Sequence, residues 1–379
     1  MTRPGPSVGG VGDRAPHGRL RSLDALRLLA ALGVVLFHFT ARDHTRFGSL
    51  PTTVFPHLSA VTVYGYAGVH LFFVISGFVV VRSARGRGVA TFLASRITRL
   101  YPAYWAAVLI TAALRWALPS IDDRSPVEVL LNLTMAQDLL GVRRVDGVYW
   151  TLWVEWQFYL LLVLLMVAGL TRGRLVLTAG WSATVGTALA LLLGPGAPVL
   201  AGFLPVFAAG VLLHVLHDEG PTPGRWLLLG LVCAEAAVLA TFRQGEGVAR
   251  IVSGVQVRPV VLALVVLAAV AAVAVCALVP AVRDLDLAVL TAAGTLTYPL
   301  YLTHEYVGWA LIGATRGLLG AWGALAAAVL GCLLLAAVLH RVVERPVQPR
   351  LRRWLQPRLA ALGARLPTSL HARAVGPGR

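Results

Sequence analysis

The sequence of 379 residues carries little charge and contains no lysine. Only 13% of its residues are charged, 58% are hydrophobic, and the mean hydropathy is +0.76. An ordinary soluble domain has about 25% charged residues, so this composition excludes that class. Most of the chain is therefore predicted to lie in a lipid bilayer.

Cysteine is also scarce. The three cysteines, Cys233, Cys276 and Cys332, lie far apart inside apolar runs. They form no CxxC pair, and no histidine stands at a spacing that suits zinc. We predict that they are packing residues, and we expect neither a metal site nor a bound cofactor.

All 33 cationic side chains are arginine, which we attribute first to a GC-rich coding bias and only second to chemistry. They give a net charge of +16 and cluster at the ends of apolar runs and in the C-terminal tail. Interleaved aromatic residues of the nucleic-acid-binding type are absent from these clusters. Membrane lipids with anionic head groups are the favoured partners, and nucleic acid is not expected.

Ten apolar segments are long enough to cross a bilayer of about 30 Å. They predict an all-α, polytopic membrane protein with about ten transmembrane helices. The segments are 22–40, 63–82, 102–118, 149–170, 175–193, 198–217, 225–241, 258–280, 287–312 and 318–341.

The distribution of arginine predicts how the chain is oriented. With the N-terminus inside, 22 arginines fall in cytoplasmic segments and 10 in outer loops, which favours two cytoplasmic termini in the cell membrane. Residues 82–101 are predicted to form a basic cytoplasmic loop. The domains are then a disordered tail at 1–20, one transmembrane domain at 21–346, and a basic tail at 347–379 that is disordered after about residue 355.

The first apolar run, RSLDALRLLAALGVVLFHF at residues 21–39, contains an arginine and a histidine. Ionisable groups inside a spanning helix are costly and usually functional. Arg27 and His38 share one helix face, about 16 Å apart along the axis, and Asp24 lies one turn before Arg27 and can pair with it. The alternative is a structural histidine with an arginine that reaches the membrane surface.

Glu155, in the run WTLWVEWQFYLL, lies about six residues into a predicted span. The predicted topology puts Glu155 and His38 near the outer ends of their helices, where they can meet. A carboxylate that orients an imidazole is the usual arrangement for activating a hydroxyl. We predict this role for Glu155; the alternative is that it only bonds tryptophan or tyrosine groups in the core.

Two arginines and a second histidine complete the candidate site. Arg96 and Arg99 are three residues apart, so on a helical turn both face one way, like a fork for phosphate oxygens; simple anchoring at the membrane face is the alternative. His304 and Tyr301 are candidates for an acceptor pocket. Ser76 is a further candidate for contacting the substrate.

Taken together, six motifs resemble those of acyltransferase family 3, integral membrane proteins that acylate sugars, cell-envelope glycans and macrolides. The resemblance runs from residue 21 to residue 346. The motifs are the R-x10-H of Arg27 and His38, FFVISGF at 72–78, the RxxR of Arg96 and Arg99 followed by Pro102, the WTLxxE ending at Glu155, the YxxYLxH ending at His304, and the ERP at 344–346.

The resemblance implies an acyl-CoA donor, with acetyl-CoA as the default, that binds near Arg96 and Arg99 from the cytoplasmic side. It implies that His38 is the catalytic histidine, with Arg27 in the same motif, and that Glu155 is a functional carboxylate. The acyl group would pass to a hydroxyl of a carbohydrate or glycosylated acceptor. A small transporter or flippase is the competing function, because buried Arg, His and Glu also mark transport paths.

Overall fold

The computed structural model describes residues 20–118, 122–285 and 288–364. This part of the chain is built from α-helices joined by short 3₁₀ and π turns, and it contains no strand. The helices are α1 (Arg21–Thr40), α2 (Pro51–Val54), α3 (Pro56–Thr62), α4 (Gly68–Ala84), α5 (Val89–Ala117), α6 (Pro126–Asn132), α7 (Trp150–Ala168), α8 (Arg172–Leu193), α9 (Leu204–Glu219), α10 (Pro223–Leu239), α11 (Gly245–Ala249), α12 (Pro259–Leu278), α13 (Pro280–Arg283), α14 (Ala288–Leu339) and α15 (Arg345–Ala364). The predicted all-α class is confirmed.

Nine helical segments of the described chain are long and apolar enough to cross a membrane. The last of them, Gly294–Leu362, has 69 residues, which is about 100 Å of helix and far more than one crossing needs. It reverses at Gly320, whose φ of 65° and ψ of −176° are not helical and suit only glycine. The Cys332 thiol donates to the His304 carbonyl at 3.8 Å across this turn. The two halves are therefore antiparallel neighbours, and the predicted number of about ten crossings is confirmed.

The predicted basic loop at 82–101 is wrong in its extent. Within it, only residues 85–88 lie outside a helix, because α4 ends at Ala84 and α5 begins at Val89. The third crossing therefore starts 13 residues before the predicted position 102. As a result, Arg96 and Arg99 lie on a helix and not in a loop.

The last crossing continues into α15 through a π turn at His340–Glu344. Gln348 Nε2 donates to the Arg99 carbonyl at 3.5 Å, so α15 packs along α5. The predicted disorder after about residue 355 is wrong for residues 355–364, which are helical. Residues 1–19 and 365–379 of the two predicted tails lie outside the described residues.

Two facing glycines allow α4 and α9 to pack closely. A Cβ on Gly77 would collide with the backbone carbonyl of Phe207, and a Cβ on Gly210 would collide with that of Val74. Lipid tails are as apolar as leucine, so helices in a bilayer associate through close backbone contact at small residues. Because Ser76 is adjacent to Gly77, this contact also fixes the position of a predicted site residue.

At one end of the bundle, which we call the basic end, Glu219 pairs with arginines from three different turns. Arg85, Arg172 and Arg225 all lie within ion-pair distance of its carboxylate. They hold together the turns that link α4 to α5, α7 to α8 and α9 to α10. The opposite end carries the segments 41–55 and 122–146.

Candidate active site

A cavity lies between α1, α4, α5, α7 and α14. The predicted site residues that line it are Arg27, Ser76, Arg96, Arg99, Glu155 and Tyr301. Four other lining residues carry hydroxyl groups: Thr151, Tyr159, Thr297 and Tyr298. The fold therefore brings residues that are distant in sequence into one polar space inside an apolar bundle.

Arg96 and Arg99 lie within the first three turns of α5, which begins at the basic end. Both side chains line the cavity, as their spacing predicts. Arg96 Nε donates to Ser95 Oγ at 3.3 Å, and its guanidinium lies 5.9 Å from the centre of the Phe92 ring. Two guanidinium groups on one wall can bind a phosphate or another anion.

Asp24 and Arg27 form the predicted pair, with Asp24 Oδ1 2.9 Å from Arg27 Nη1. Asp24 is buried, and Gly294 of α14 lies directly against it, since a Cβ on Gly294 would be 2.6 Å from Asp24 Cβ. This contact joins α1 to α14 at the basic end. It also holds Arg27 where its side chain lines the cavity.

Glu155 projects from α7 into the cavity, where two hydroxyl groups hold it. Ser76 Oγ donates to its Oε1 at 2.8 Å, and the Tyr159 hydroxyl donates to the same atom at 2.5 Å. His38 does not line this cavity and makes its contacts elsewhere. The predicted pairing of Glu155 with His38 is therefore wrong. Glu155 instead shares its space with the two arginines of α5.

His38 lies in the last turn of α1, and its Nδ1 makes two contacts. It is 2.8 Å from the Val34 carbonyl oxygen and 3.2 Å from Nε2 of His304. Nδ1 of His304 is 2.9 Å from the Tyr301 carbonyl oxygen. A carbonyl oxygen only accepts, so in the neutral rings each Nδ1 carries the proton and each Nε2 the lone pair. Nε2 of His38 is therefore available to accept a proton.

The carboxylate beside His38 is Glu305. Its Oε2 lies 3.8 Å from His38 Nε2, and its Oε1 lies 2.8 Å from Arg42 Nη1. Glu305 is fully buried, whereas 27% of the Arg42 side chain is exposed. A carboxylate at this position stabilises the imidazolium that forms when His38 takes up a proton.

Tyr301 separates the cavity from the histidine pair. Its ring lines the cavity, its hydroxyl lies 2.8 Å from Thr151 Oγ1, and its carbonyl binds His304. His304 is fully buried beyond it. His304 therefore does not line this cavity, and its place in an acceptor pocket stays a prediction, whereas Tyr301 and Ser76 line the cavity together with the arginines.

Sequence reasoning missed Arg42 and Trp309. Trp309 Nε1 donates to the His38 carbonyl at 3.1 Å, and the Arg42 guanidinium lies 5.6 Å from the Trp309 ring centre. Arg42 follows the end of α1, where arginines are common in membrane proteins, so the sequence did not mark it as a site residue. Its role follows only from the approach of α14.

Two carboxyl groups were also not among the predicted site residues. Glu305 had one available signal, its position next to His304 in a predicted span. Asp146 lies in the segment before α7, where nothing in the sequence distinguishes it from other loop acids. The following residue, Gly147, contacts the Glu305 carboxylate, since a Cβ there would be 2.7 Å from Oε2.

Comparison with known proteins gives the family of the chain. The model of acyltransferase family 3, described as an acyltransferase domain, matches residues 20–341. The chain is 29% identical over 363 residues to acyltransferase MdmB of Streptomyces mycarofaciens, which covers 86% of this chain and 91% of that protein. It is 28% identical over 316 residues to exopolysaccharide production protein ExoZ of Rhizobium meliloti (strain 1021), covering 76% and 90% respectively. No solved structure matches the chain.

These matches and the helical bundle define a membrane-embedded transferase. The chain belongs to acyltransferase family 3. It is a multi-pass membrane O-acyltransferase, and the resemblance carried by the six motifs is confirmed.

Proposed function

We propose that this protein transfers an acyl group, acetyl by default, from acyl-CoA to a hydroxyl of a carbohydrate or glycosylated acceptor. One observation carries the proposal. The cavity has Arg96 and Arg99 on its wall and ends at Tyr301, whose carbonyl orients His304 and through it His38. The two arginines can bind phosphates at one end of this path, and His38 can act as a base at the other end. This separation suits acyl-CoA, a long molecule with phosphates at one end and the thioester at the other. The name of ExoZ supports a carbohydrate acceptor.

In this proposal the donor lies along the cavity. Arg96 and Arg99 bind its phosphates, and its pantetheine arm extends past Glu155 toward Tyr301. Glu155, which Ser76 and Tyr159 hold in place, accepts a hydrogen bond from an amide of the arm. The thioester passes Tyr301 to reach His38.

His38 then acts as the general base. Its Nε2 removes the proton of the acceptor hydroxyl while the hydroxyl oxygen attacks the thioester carbonyl. The tetrahedral intermediate collapses by breaking the C–S bond, and the leaving CoA thiolate takes up the proton held at His38 Nε2, which returns the imidazole to its neutral form. Glu305, 3.8 Å from Nε2, stabilises the imidazolium in between.

The basic end faces the cytoplasm of the cell membrane in this proposal, with both termini on that side. The excess of arginine in the segments at this end supports the orientation. The donor then enters from the cytoplasm, and the acceptor approaches His38 from the opposite face.

Transfer of label from radiolabelled acetyl-CoA to a pooled extract of envelope glycans and metabolites tests the proposal. We expect His38→Ala to abolish transfer and to keep acetyl-CoA binding. Arg96→Ala with Arg99→Ala should weaken that binding and leave any residual transfer saturable at higher donor concentration. The matched control is Arg250→Ala with Arg258→Ala, two exposed arginines away from the cavity.

Equal loss of binding in the histidine and arginine variants would refute this division of roles. If the wild-type protein neither binds nor consumes acyl-CoA, the donor assignment is wrong. Transport of a polar or lipid-linked substrate would then be the better hypothesis.

A further inference from the structure

One buried carboxyl group has no part in the mechanism above. Asp146 is fully buried and precedes the 3₁₀ turn Gly147–Tyr149 that leads into α7. Its Oδ1 accepts the Val148 N–H at 3.1 Å. Its Oδ2 has no hydrogen-bond donor among the described residues. A buried carboxylate oxygen without a donor is unfavourable and needs an explanation.

The explanation lies in the second buried carboxyl group next to it. Both oxygens of Glu305 contact the backbone at Gly147, the residue after Asp146, where a Cβ would lie 2.7 and 3.0 Å from them. Glu305 is also the charged group that acts most strongly on the Asp146 carboxyl. Two buried carboxyl groups this close do not both ionise. If one is protonated, its O–H donates to the other and both are satisfied.

The neighbouring charges decide which carboxyl carries the proton. Arg42 Nη1 lies 2.8 Å from Glu305 Oε1 and forms an ion pair with that carboxylate. No cation of the described chain forms an ion pair with Asp146; Arg115, which also faces it, donates its Nε to the Val145 carbonyl at 2.7 Å. Burial first, and the Glu305 carboxylate second, raise the pKa of Asp146 well above its usual range. The proton therefore belongs on Asp146.

The other titratable groups around Asp146 do not change this assignment. They are phenols, which are uncharged at neutral pH, and they come from α5, α14 and the 3₁₀ turn that follows Asp146. They are Tyr104, Tyr149, Tyr301 and Tyr306. His38 and Arg42 contact the other side of the pair, at Glu305.

We propose that Asp146 is protonated in the resting protein and acts as a positioning residue, whose O–H donates to Glu305 and holds that carboxylate beside His38. The proposal rests on the proposed function in one respect, the role of His38 as the base. The hydrogen bond exists only while Asp146 keeps its proton. Loss of that proton at alkaline pH therefore removes the support of Glu305 and lowers the rate of transfer.

Two substitutions at this position give opposite results. Asp146→Asn keeps a donor toward Glu305 and an oxygen for the Val148 N–H, so it mimics the protonated acid. We expect it to retain at least about a third of the wild-type kcat at neutral pH and to lose the alkaline decline in rate. Asp146→Ala removes the donor, and we expect kcat to fall at least about thirtyfold while the affinity for acetyl-CoA stays unchanged.

Asp138→Asn is the matched control, since Asp138 lies in the same segment before α7 and pairs with Arg144 at 2.7 Å. It should leave the pH profile of transfer unchanged. The proposal is overturned if Asp146→Asn is as inactive as Asp146→Ala, because an ionised Asp146 would then be required. It is also overturned if Asp146→Asn keeps the wild-type alkaline decline.

A second measurement does not depend on activity. Infrared difference spectroscopy of the purified protein at neutral pH, wild type minus Asp146→Asn, should show the carbonyl stretch of a protonated carboxylic acid. The proposal would be overturned if this band were absent from the difference spectrum while the wild-type protein and Asp146→Asn had the same elution profile in size-exclusion chromatography. If the band is present and the wild-type protein transfers no acyl group, the proposed function fails while the protonation of Asp146 stands.

Discussion

His304 Nε2 lies 3.2 Å from His38 Nδ1, a contact between residues 266 positions apart in the sequence. The Val34 carbonyl lies near the same Nδ1 at 2.8 Å, so two acceptors hold one proton of the His38 ring. This arrangement fixes the tautomer that leaves Nε2 free. The second histidine thus sets the chemistry of the first.

His304→Ala removes one of these two acceptors and leaves the His38 ring held by the Val34 carbonyl alone. We expect kcat to fall about 10- to 100-fold, less than the full contribution of a general base. The affinity for acetyl-CoA, measured by equilibrium dialysis, should stay within twofold. A loss confined to donor affinity would show that His304 belongs to the donor site instead.

Glu155→Gln tests the corrected position of this carboxylate. Because Glu155 lies in the cavity proposed to bind the donor and not beside His38, the substitution should raise the KM for acetyl-CoA about 3- to 10-fold and change kcat less. Ser76→Ala removes one of its two hydroxyl donors and should shift KM in the same direction. If kcat instead fell as far as in His38→Ala, the original prediction that Glu155 orients His38 would be supported.

Thr151→Val removes the hydrogen bond to Tyr301 in the lining of the cavity, with little change in side-chain volume. Such a bond contributes about 0.5–1.5 kcal/mol, so transfer should become about two- to tenfold faster if passage of the thioester limits turnover. Stopped-flow measurement of thiol release checks this. Thr297→Val, which removes another cavity hydroxyl, is the control. Slower release in Thr151→Val alone would mean that the bond orients the site.

The stability of the protein should fall between pH 6.5 and 4 because of His44. Burial lowers the pKa of His44 to about 4, whereas the unfolded value is about 6.5. Nε2 lies 3.2 Å from the Phe39 carbonyl and Nδ1 accepts the Arg46 N–H, so protonation of Nδ1 breaks a bond. The unfolded chain therefore binds the extra proton, and stability is complete above pH 6.5 and lost as the pH falls.

Thermal unfolding of the detergent-purified protein at pH 7.5 and pH 5.0 measures this effect. His44→Gln should lower the melting temperature at pH 7.5 and show a smaller further decrease at pH 5.0 than the wild type. His57→Gln, which changes an exposed histidine, is the control. The same pH-dependent decrease in the wild type and in His44→Gln would rule out His44 as the cause.

Gly210→Ala should destabilise the contact between α4 and α9. The added methyl collides with the Val74 carbonyl, and such overpacking costs about 1–3 kcal/mol or more. Gly230→Ala is the matched control, because nothing lies within 4 Å of a Cβ at that position. Monodisperse yield and melting temperature in detergent report the difference. Equal behaviour of the two variants would show that the helices can separate to admit the methyl group.

The sequence by itself determined the class of fold and most of the crossings. Long apolar runs must form helices in a bilayer, since every backbone polar group needs a partner there. Local spacing also predicted the pair of Asp24 and Arg27 and the shared face of Arg96 and Arg99. The six motifs were sufficient for the family, because each is a short run of residues whose order is visible in the chain.

Only the tertiary structure decided which carboxylate stands beside His38. Depth along a helix places Glu155 and Glu305 at comparable levels, and it says nothing about the rotation of α7 and α14 around their axes. Packing settles that rotation, and it directs Glu155 into the cavity and Glu305 toward His38. The pair of Asp146 and Glu305 has the same origin, since only the folded chain buries two distant acids together.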